Sequence, residues 1–582
     1  MKIKHFFGLA VIAAMTASCS SNEDLGTAGP GTGTNETGVG YASFSINLPT
    51  TSGTRADGDP TFEDGNDNEY KVNDATLLIF KKGATEAEGD YTFVESAELG
   101  SMAPWKDKNE TGVTTHAKIT AKLDNVNKTD QFFALVLLNN GTGANAKVTL
   151  PGKDKTFSEW NAATNAKDKF ANTDNGFYMA NAPLFKDNNV TTLVPIENSK
   201  IYPTEEQAAN NAATDVYVER GLAKVTLGSS TTAEKPVTDG TYKGDNVTIS
   251  KWALDVTNKK TFPIHNVDGL ATDYNEIWSN TTTASPTNGA TTQRFVDNNT
   301  ATLAKRVYWG IDPNYNNNEL CTDDADGTTA RKAEFNYVTN TAAVKEDPDK
   351  PLYCLENTFN LENMMQGQTT RVIFKATYKP ASLPEGEKTF YKIGKNTAIW
   401  SKNDLETEIK AAVASVVSGA TTENTKVKLD ASENDITAAG THYIAAANIK
   451  VTGATGTTDE TITPENINAI NTQLGLNEDK KVGISTYADG ESYYVARIKH
   501  FGDALTKWES SQSYGTDNLS FLGRYGVLRN NWYELTVNSV SGPGYPSVPE
   551  VKPNTPDDED ENYIKVSVKI LSWAKRSQDV NL

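Results

Sequence analysis

YIKVSVKILSW (Tyr563–Trp573) reads as a strand. Ile564, Val566, Val568 and Ile570 fall on one side, with Lys565, Ser567 and Lys569 on the other. That period of two is the pattern of a half-buried β-strand. The segment before it, SGPGYPSVPEVKPNTPDDEDEN (Ser541–Asn562), is acidic and rich in Pro. Such a composition packs poorly and predicts a mobile tether. An apolar strand carried on a tether is suited to adding itself to another sheet.

Working outward, the same texture recurs. In YASFSINL (Tyr41–Leu48), Phe44, Ile46 and Leu48 alternate with Ser43, Ser45 and Asn47. The polar loop that follows has Arg55 as its one basic residue. Further strands are expected over Val72–Phe80, Thr115–Leu123, Gln131–Asn139, Gly176–Ala182 and Asp215–Leu227. Others are expected over Val247–Asn258, Lys305–Gly310, Thr369–Tyr378, Thr389–Gly394, Ser492–Phe501 and Trp532–Val540. QFFALVLLN is apolar on both faces, so it should be a central strand. Two helices are expected. One spans Asp404–Val417, after the N-cap types Ser401 and Asn403; the other spans Pro464–Leu476, with Pro at a first-turn position. Many strands, long polar loops and few helices make a mainly β protein built of sandwiches. The Gly/Ser/Thr loop after Leu227 suggests a domain boundary near residue 215.

The front of the chain has a different character. Lys2 and Lys4 precede an apolar stretch, Phe6–Ala17, which is too short to span a bilayer and reads as a signal peptide. TASC then places Cys19 where a bacterial lipoprotein is cut and lipidated, and a Gly/Ser/Thr-rich spacer follows to residue 40. With 55 Lys and Arg against 75 Asp and Glu, the net charge is −20. Such a chain repels phosphate backbones, which argues against nucleic acid as a partner. Beyond Cys19 there are only Cys321 and Cys354, too few for a disulfide framework; they either pair or stay thiols.

No catalytic constellation emerges. His116, His265, His442 and His500 are scattered, with none at metal-ligand spacing to another His or Cys. There is no nucleophile elbow, P-loop or dinucleotide fingerprint. DDADG (Asp323–Gly327) has the flavour of a calcium loop but lacks a closing Glu, and reads as a surface turn. Tyr308, Trp309, Trp532 and Tyr533 are expected in the core more readily than as sugar platforms.

Several stretches together resemble the type V, Mfa-type fimbrillins of Bacteroidales. They are the lipoprotein start ending at Cys19, INLPTTSGTRA, VERGLAKVTL, YCLENTF with TTRVIFKATY, GRYGVLRNNWYELTVNSVSGPGYP and IKVSVKILSWAKRSQDVNL. The resemblance implies two transthyretin-like Greek-key β-sandwich domains with long loops and a few short helices. It divides the chain into a signal peptide (1–18), a lipidated spacer (19–40), an N-terminal domain (41–214) and a C-terminal domain (215–582). Within these it implies a removable first strand with its cleavage loop (41–55), a tether (541–562) and a donor strand (563–582).

In this scheme the chain is a structural pilin of a cell-surface fimbria, supporting adhesion and biofilm formation. It is not an enzyme, and it carries no cofactor or metal. An Arg-specific or trypsin-like protease cuts the outer-membrane lipoprotein precursor between Arg55 and Ala56. The strand bearing Phe44, Ile46 and Leu48 departs, and Ile564, Val566, Val568 and Ile570 of another subunit replace it. The partners implied are identical subunits in a head-to-tail filament, tip and anchor subunits, the protease, and the outer membrane through the lipid on Cys19. The competing expectation is a monomeric surface lipoprotein that binds polysaccharide.

Overall fold

The computed structural model describes residues 31, 33–49, 69, 71–100, 113–127, 129–162, 164–165, 167–170, 176–186, 189–270, 305–322, 325–453, 461–501, 506, 508, 521–558 and 564–571. Cys19, Arg55 and Ala56 lie outside these residues. The fold is mainly β, with several sheets and few short helices.

The first sheet is made of β1 (Gly40–Pro49), β2 (Ala75–Lys81), β3 (Thr92–Gly100), β4 (Val113–Leu123), β5 (Phe132–Leu138), β6 (Met179–Asn181), β7 (Val194–Ile196) and β8 (Thr214–Arg220). Its order is β3-β2-β5-β6-β8-β1-β4, with β7 also on β5. The doubly apolar β5 is central, as its composition demands: Ala134 to Leu138 are all buried. β8 serves two leaves, pairing parallel with β1 through Thr214–Tyr217 and antiparallel with β6 through Val218–Arg220. The far edges approach each other where Glu95 of β3 accepts the N–H groups of Asp124 and Asn125, each at 3.1 Å.

Asp215–Leu227 is not one strand. It breaks at Gly221 into β8 and β9 (Ala223–Leu227), and β9 belongs to a different sheet. Gly221 is required by close approach, since a Cβ there would sit 2.8 Å from the Phe170 ring. The expected boundary at 215 therefore falls within β8, and the chain changes sheets between Arg220 and Ala223.

The second unit adds β10 (Lys235–Pro236), β11 (Asn246–Asp255), β12 (Leu352–Cys354), β13 (Arg371–Lys379), β14 (Phe390–Ile393), β15 (Ile484–Tyr487), β16 (Glu491–Arg497), β17 (Trp532–Val540) and β18 (Ile564–Leu571). Sheet β12-β9-β17-β18 faces sheet β10-β11-β13-β16. Val225, Tyr533 and Leu535 from one meet Ile249, Trp252, Phe374 and Tyr494 from the other in a single core. In β11 the inward positions change from odd (Val247, Ile249) to even (Trp252) across a bulge between Ile249 and Lys251. One extra residue resets the parity of every position after it.

Four helices matter below: α1 (Glu205–Asn210), α2 (Ala325–Glu334), α3 (Lys402–Val416) and α4 (Pro464–Gln473). α3 starts at Lys402, two residues before the expected Asp404, and α4 starts at the expected Pro464; each has a capping box, Ser401/Asp404 and Thr463/Asn466. They sit in an insertion between β13 and β16 that hangs from the antiparallel pair β14–β15. That insertion has its own core, including Leu405, Ile409, Val413, Ile449 and Ile470. The surface turn expected over Asp323–Gly327 is instead entered by α2 from Ala325 onward. Cys321 and Cys354 are both thiols, not joined in a disulfide.

The mobile tether expected over 541–562 is overturned for its described part, 541–558. Tyr545 exchanges backbone bonds with Tyr493, and Thr555 accepts from the Gln366 N–H. Arg371 donates to the Pro549 carbonyl at 2.8 Å. Of the acids, Asp557 is buried against Arg497 and Thr369, and the Asp558 side chain packs against Arg524. Buried carboxylates persist only with such partners, and the partners are remote in sequence.

Candidate assembly site

The site is built around β1, which is held on both edges. It pairs antiparallel with β4 from Gly40↔Leu123 to Pro49↔Val113 and parallel with β8 from Phe44↔Thr214 to Asn47↔Tyr217. Ala42, Phe44 and Ile46 are buried, Phe44 with no exposed surface. They share one core with Ala117, Ala121 and Leu123 of β4 and Val216 and Val218 of β8. Leu48 occupies the next even position of the strand.

The opposite face of β1 is also covered. Ser43 Oγ donates to the Ala208 carbonyl of α1 at 2.7 Å and lies 2.7 Å from Thr120 Oγ1. At the start of β1, Tyr41 and Tyr202 exchange backbone hydrogen bonds, and ahead of it Gly33 donates to the Ile201 carbonyl at 2.9 Å. Taking β1 away would open a slot with two unpaired strand edges and an apolar floor.

Beyond the Arg55 loop, Glu69 is a fixed point. Its carboxylate lies 2.8 Å from Lys224 Nζ on β9, and Tyr353 of β12 donates to it at 2.5 Å. Arg220 Nε donates to the Glu69 carbonyl at 2.7 Å, and Lys224 sits 3.7 Å above the Trp532 ring. Burial, with the neighbouring Glu69 charge, pushes the Tyr353 hydroxyl far above its ordinary pKa, so it remains a donor. The chain is thus fastened to the second unit after the loop and to the first sheet before it. Sequence reading missed Glu69, because an acid at the end of an acidic loop carries no local sign of a buried partner.

The tail strand lies at the edge of its own sheet. β18 runs antiparallel to β17, with Ile564↔Val540, Val566↔Val537, Val568↔Leu535 and Ile570↔Tyr533 in register. Among the described residues it has one neighbouring strand, whereas β1 has two.

The remaining candidates are structural. Trp309 and Tyr533 are fully buried, while Trp532 carries Lys224 on its face. His265 Nδ1 meets Glu219 at 2.8 Å, and His500 Nδ1 meets the Tyr533 hydroxyl at 2.7 Å. Among the described residues no three His, Cys, Asp or Glu converge to hold a metal. No described helix is long and apolar enough to cross a membrane.

Residues 485–579 match the family model for the major fimbrial subunit protein type IV, fimbrillin, C-terminal. The match spans β15 to beyond β18 and supports a fimbrial subunit. It names type IV, whereas the sequence motifs resemble type V. No curated protein matches the chain. Among solved structures, a proposed cell adhesion protein of Parabacteroides distasonis is 11% identical, with 92% of this chain and 98% of that one covered and a TM-score of 0.38. One from Bacteroides eggerthii is 13% identical, with 94% and 98% covered and a TM-score of 0.32. A second from P. distasonis is 13% identical, with 92% and 100% covered and a TM-score of 0.34.

Proposed function

We propose that the chain is a structural subunit of a cell-surface fimbria, made as a lipoprotein precursor, that polymerises by donor-strand exchange after proteolysis. The observation that carries the reading is the asymmetry between the two terminal strands. Among the described residues, β1 is clamped between two strands over an apolar floor, while β18 is an edge strand with one neighbour. Both alternate apolar and polar residues. A tail that leaves its edge for an emptied β1 slot trades one ladder for two. Each added hydrogen bond is worth about 0.5–1.5 kcal/mol net, and each fully buried aliphatic side chain about 1.5–3 kcal/mol.

Cleavage after Arg55 is the trigger in this reading. It severs β1 from Glu69, so β1 can leave while the remaining chain stays fastened at Glu69 to Lys224 and Tyr353. The exchange is head-to-tail, so it extends as an open filament. Lipid on Cys19 would hold the precursor at the outer membrane until the cut, and tip and anchor subunits would cap the fibre. Adhesion and biofilm support follow from the fibre's place at the surface, and no catalytic chemistry is required.

The test is treatment of the full chain with an Arg-specific protease. The expected product is a ladder of oligomers that resists mild denaturant, absent for Arg55→Ala. A chain ending at Asn562 should be cut and remain monomeric. A ladder that forms equally well without residues 563–582 would overturn the reading.

A further inference from the structure

Residues 549–558 form a fastened strap, and its last fastening is the strongest. Asp558 takes a two-pronged bond from Arg524, Nε at 2.8 Å and Nη2 at 2.7 Å, and a third from the Tyr525 hydroxyl at 2.8 Å. Arg524 is itself held by the Thr506 carbonyl at 2.7 Å. Beside it, Arg497 donates to the Asp557 carbonyl at 2.9 Å, and Thr369 donates to the Asp557 carboxylate. Pro553 lies against Gly367, where a Cβ would come within 2.6 Å of the Pro553 Cα. Paired forks of this kind fix geometry as well as charge.

We propose that Asp557 and Asp558, gripped by Arg497 and Arg524, are the joint anchor of the filament: they fix the point from which the tail strand reaches its neighbour. This rests on the donor-strand reading above and adds to it a set of positioning residues. Five residues, 559–563, separate Asp558 from Ile564. Fully extended they let the tail start within roughly 20 Å of the anchor. Were the strap loose, the chain would still be held at Tyr545 by Tyr493 but would run free from Pro549, with an extended reach of roughly 50 Å. A leash shortened roughly two- to threefold keeps the receiving slot close to Arg524 and raises the tail's effective concentration there. The joint between subunits is then stiff, with a fixed spacing, although the sequence of this segment resembles a linker.

The test compares the full chain with D557N/D558N and, separately, with G367A, which presses on Pro553 without touching the charges. In the uncut monomer, amide exchange at Thr555, inside the strap, should be at least tenfold faster in the variants. After cleavage the variants should still polymerise, but their fibres in electron micrographs should bend over lengths several-fold shorter than wild type. Unchanged exchange in both variants overturns the anchor. Faster exchange with unchanged fibre stiffness and subunit spacing overturns the joint role. If the cut wild type does not polymerise, the donor-strand reading falls and the joint role with it, while monomer exchange still reports on the anchor.

Discussion

Phe44 is the side chain on which the hold over β1 should depend most. It is fully buried, sits mid-strand opposite Ile119 and Thr214, and shares its core with Ile46, Val216 and Ala117. Phe→Ala at such a position removes about 3–5 kcal/mol, transfer and cavity terms together. In the uncut chain that loss appears as global instability, with a lower urea midpoint. After cleavage β1 is held only by non-covalent contacts. If the loss falls on dissociation, release should accelerate roughly a hundredfold to a few thousandfold, at tenfold per 1.4 kcal/mol. The assay uses protein labelled with a fluorophore ahead of β1, cut by an Arg-specific protease and followed by anisotropy in excess unlabelled peptide 31–55. Ser45→Ala, on the half-buried opposite face, is the control, expected within about 0.5 kcal/mol of wild type. Equal release rates for Phe44→Ala and wild type, or for Phe44→Ala and Ser45→Ala, would refute the reasoning.

Glu69→Ala strands Lys224 in a buried site and should cost about 3–5 kcal/mol in urea unfolding; a loss below about 1 kcal/mol would mean the fixed point is not one. Asp312 is buried and accepts from Thr358 and Asn314, yet burial pushes its pKa up to about 7. The folded state then holds a proton that the unfolded state releases, so this group lowers stability as pH rises from the ordinary 3.8 to about 7, with no further change above. Asp312→Asn should flatten that part of the melting temperature against pH; parallel curves for the two proteins would count against it. Replacing residues 394–483 by Asn-Gly, which closes β14 onto β15, should leave a folded chain that still polymerises, because the insertion carries its own core. Loss of the cooperative melt would show that the insertion supports the sandwich.

The elements that reveal themselves locally were legible in the sequence. β1 and β18 alternate, β5 is apolar throughout, α3 follows the N-cap Ser401, whose side chain satisfies a free helix N–H group, and α4 opens on Pro464. β3 was not legible: Glu95, Ser96 and Glu98 give TFVESAELG the polarity of a loop, which an edge strand tolerates. The break at Gly221 was hidden because it depends on Phe170 and Tyr178 crowding the backbone. The strap was misread for the same kind of reason. Pro and Asp at 549–558 signal a linker until Arg371, Arg497 and Arg524 are seen to surround it. Long-range charge pairing leaves no periodic trace.

The most direct test of strand exchange mixes isotopically heavy and light subunits, cuts them with the Arg-specific protease, and maps lysine cross-links by mass spectrometry. Lys565 and Lys569 lie on the tail strand, and Lys118 and Lys122 on β4 beside β1. Heavy-to-light links between these two pairs should appear after cleavage and be absent before it. If the tail lysines link only within their own subunit, in polymer as in monomer, the tail has not entered a neighbour's slot and the account is contradicted.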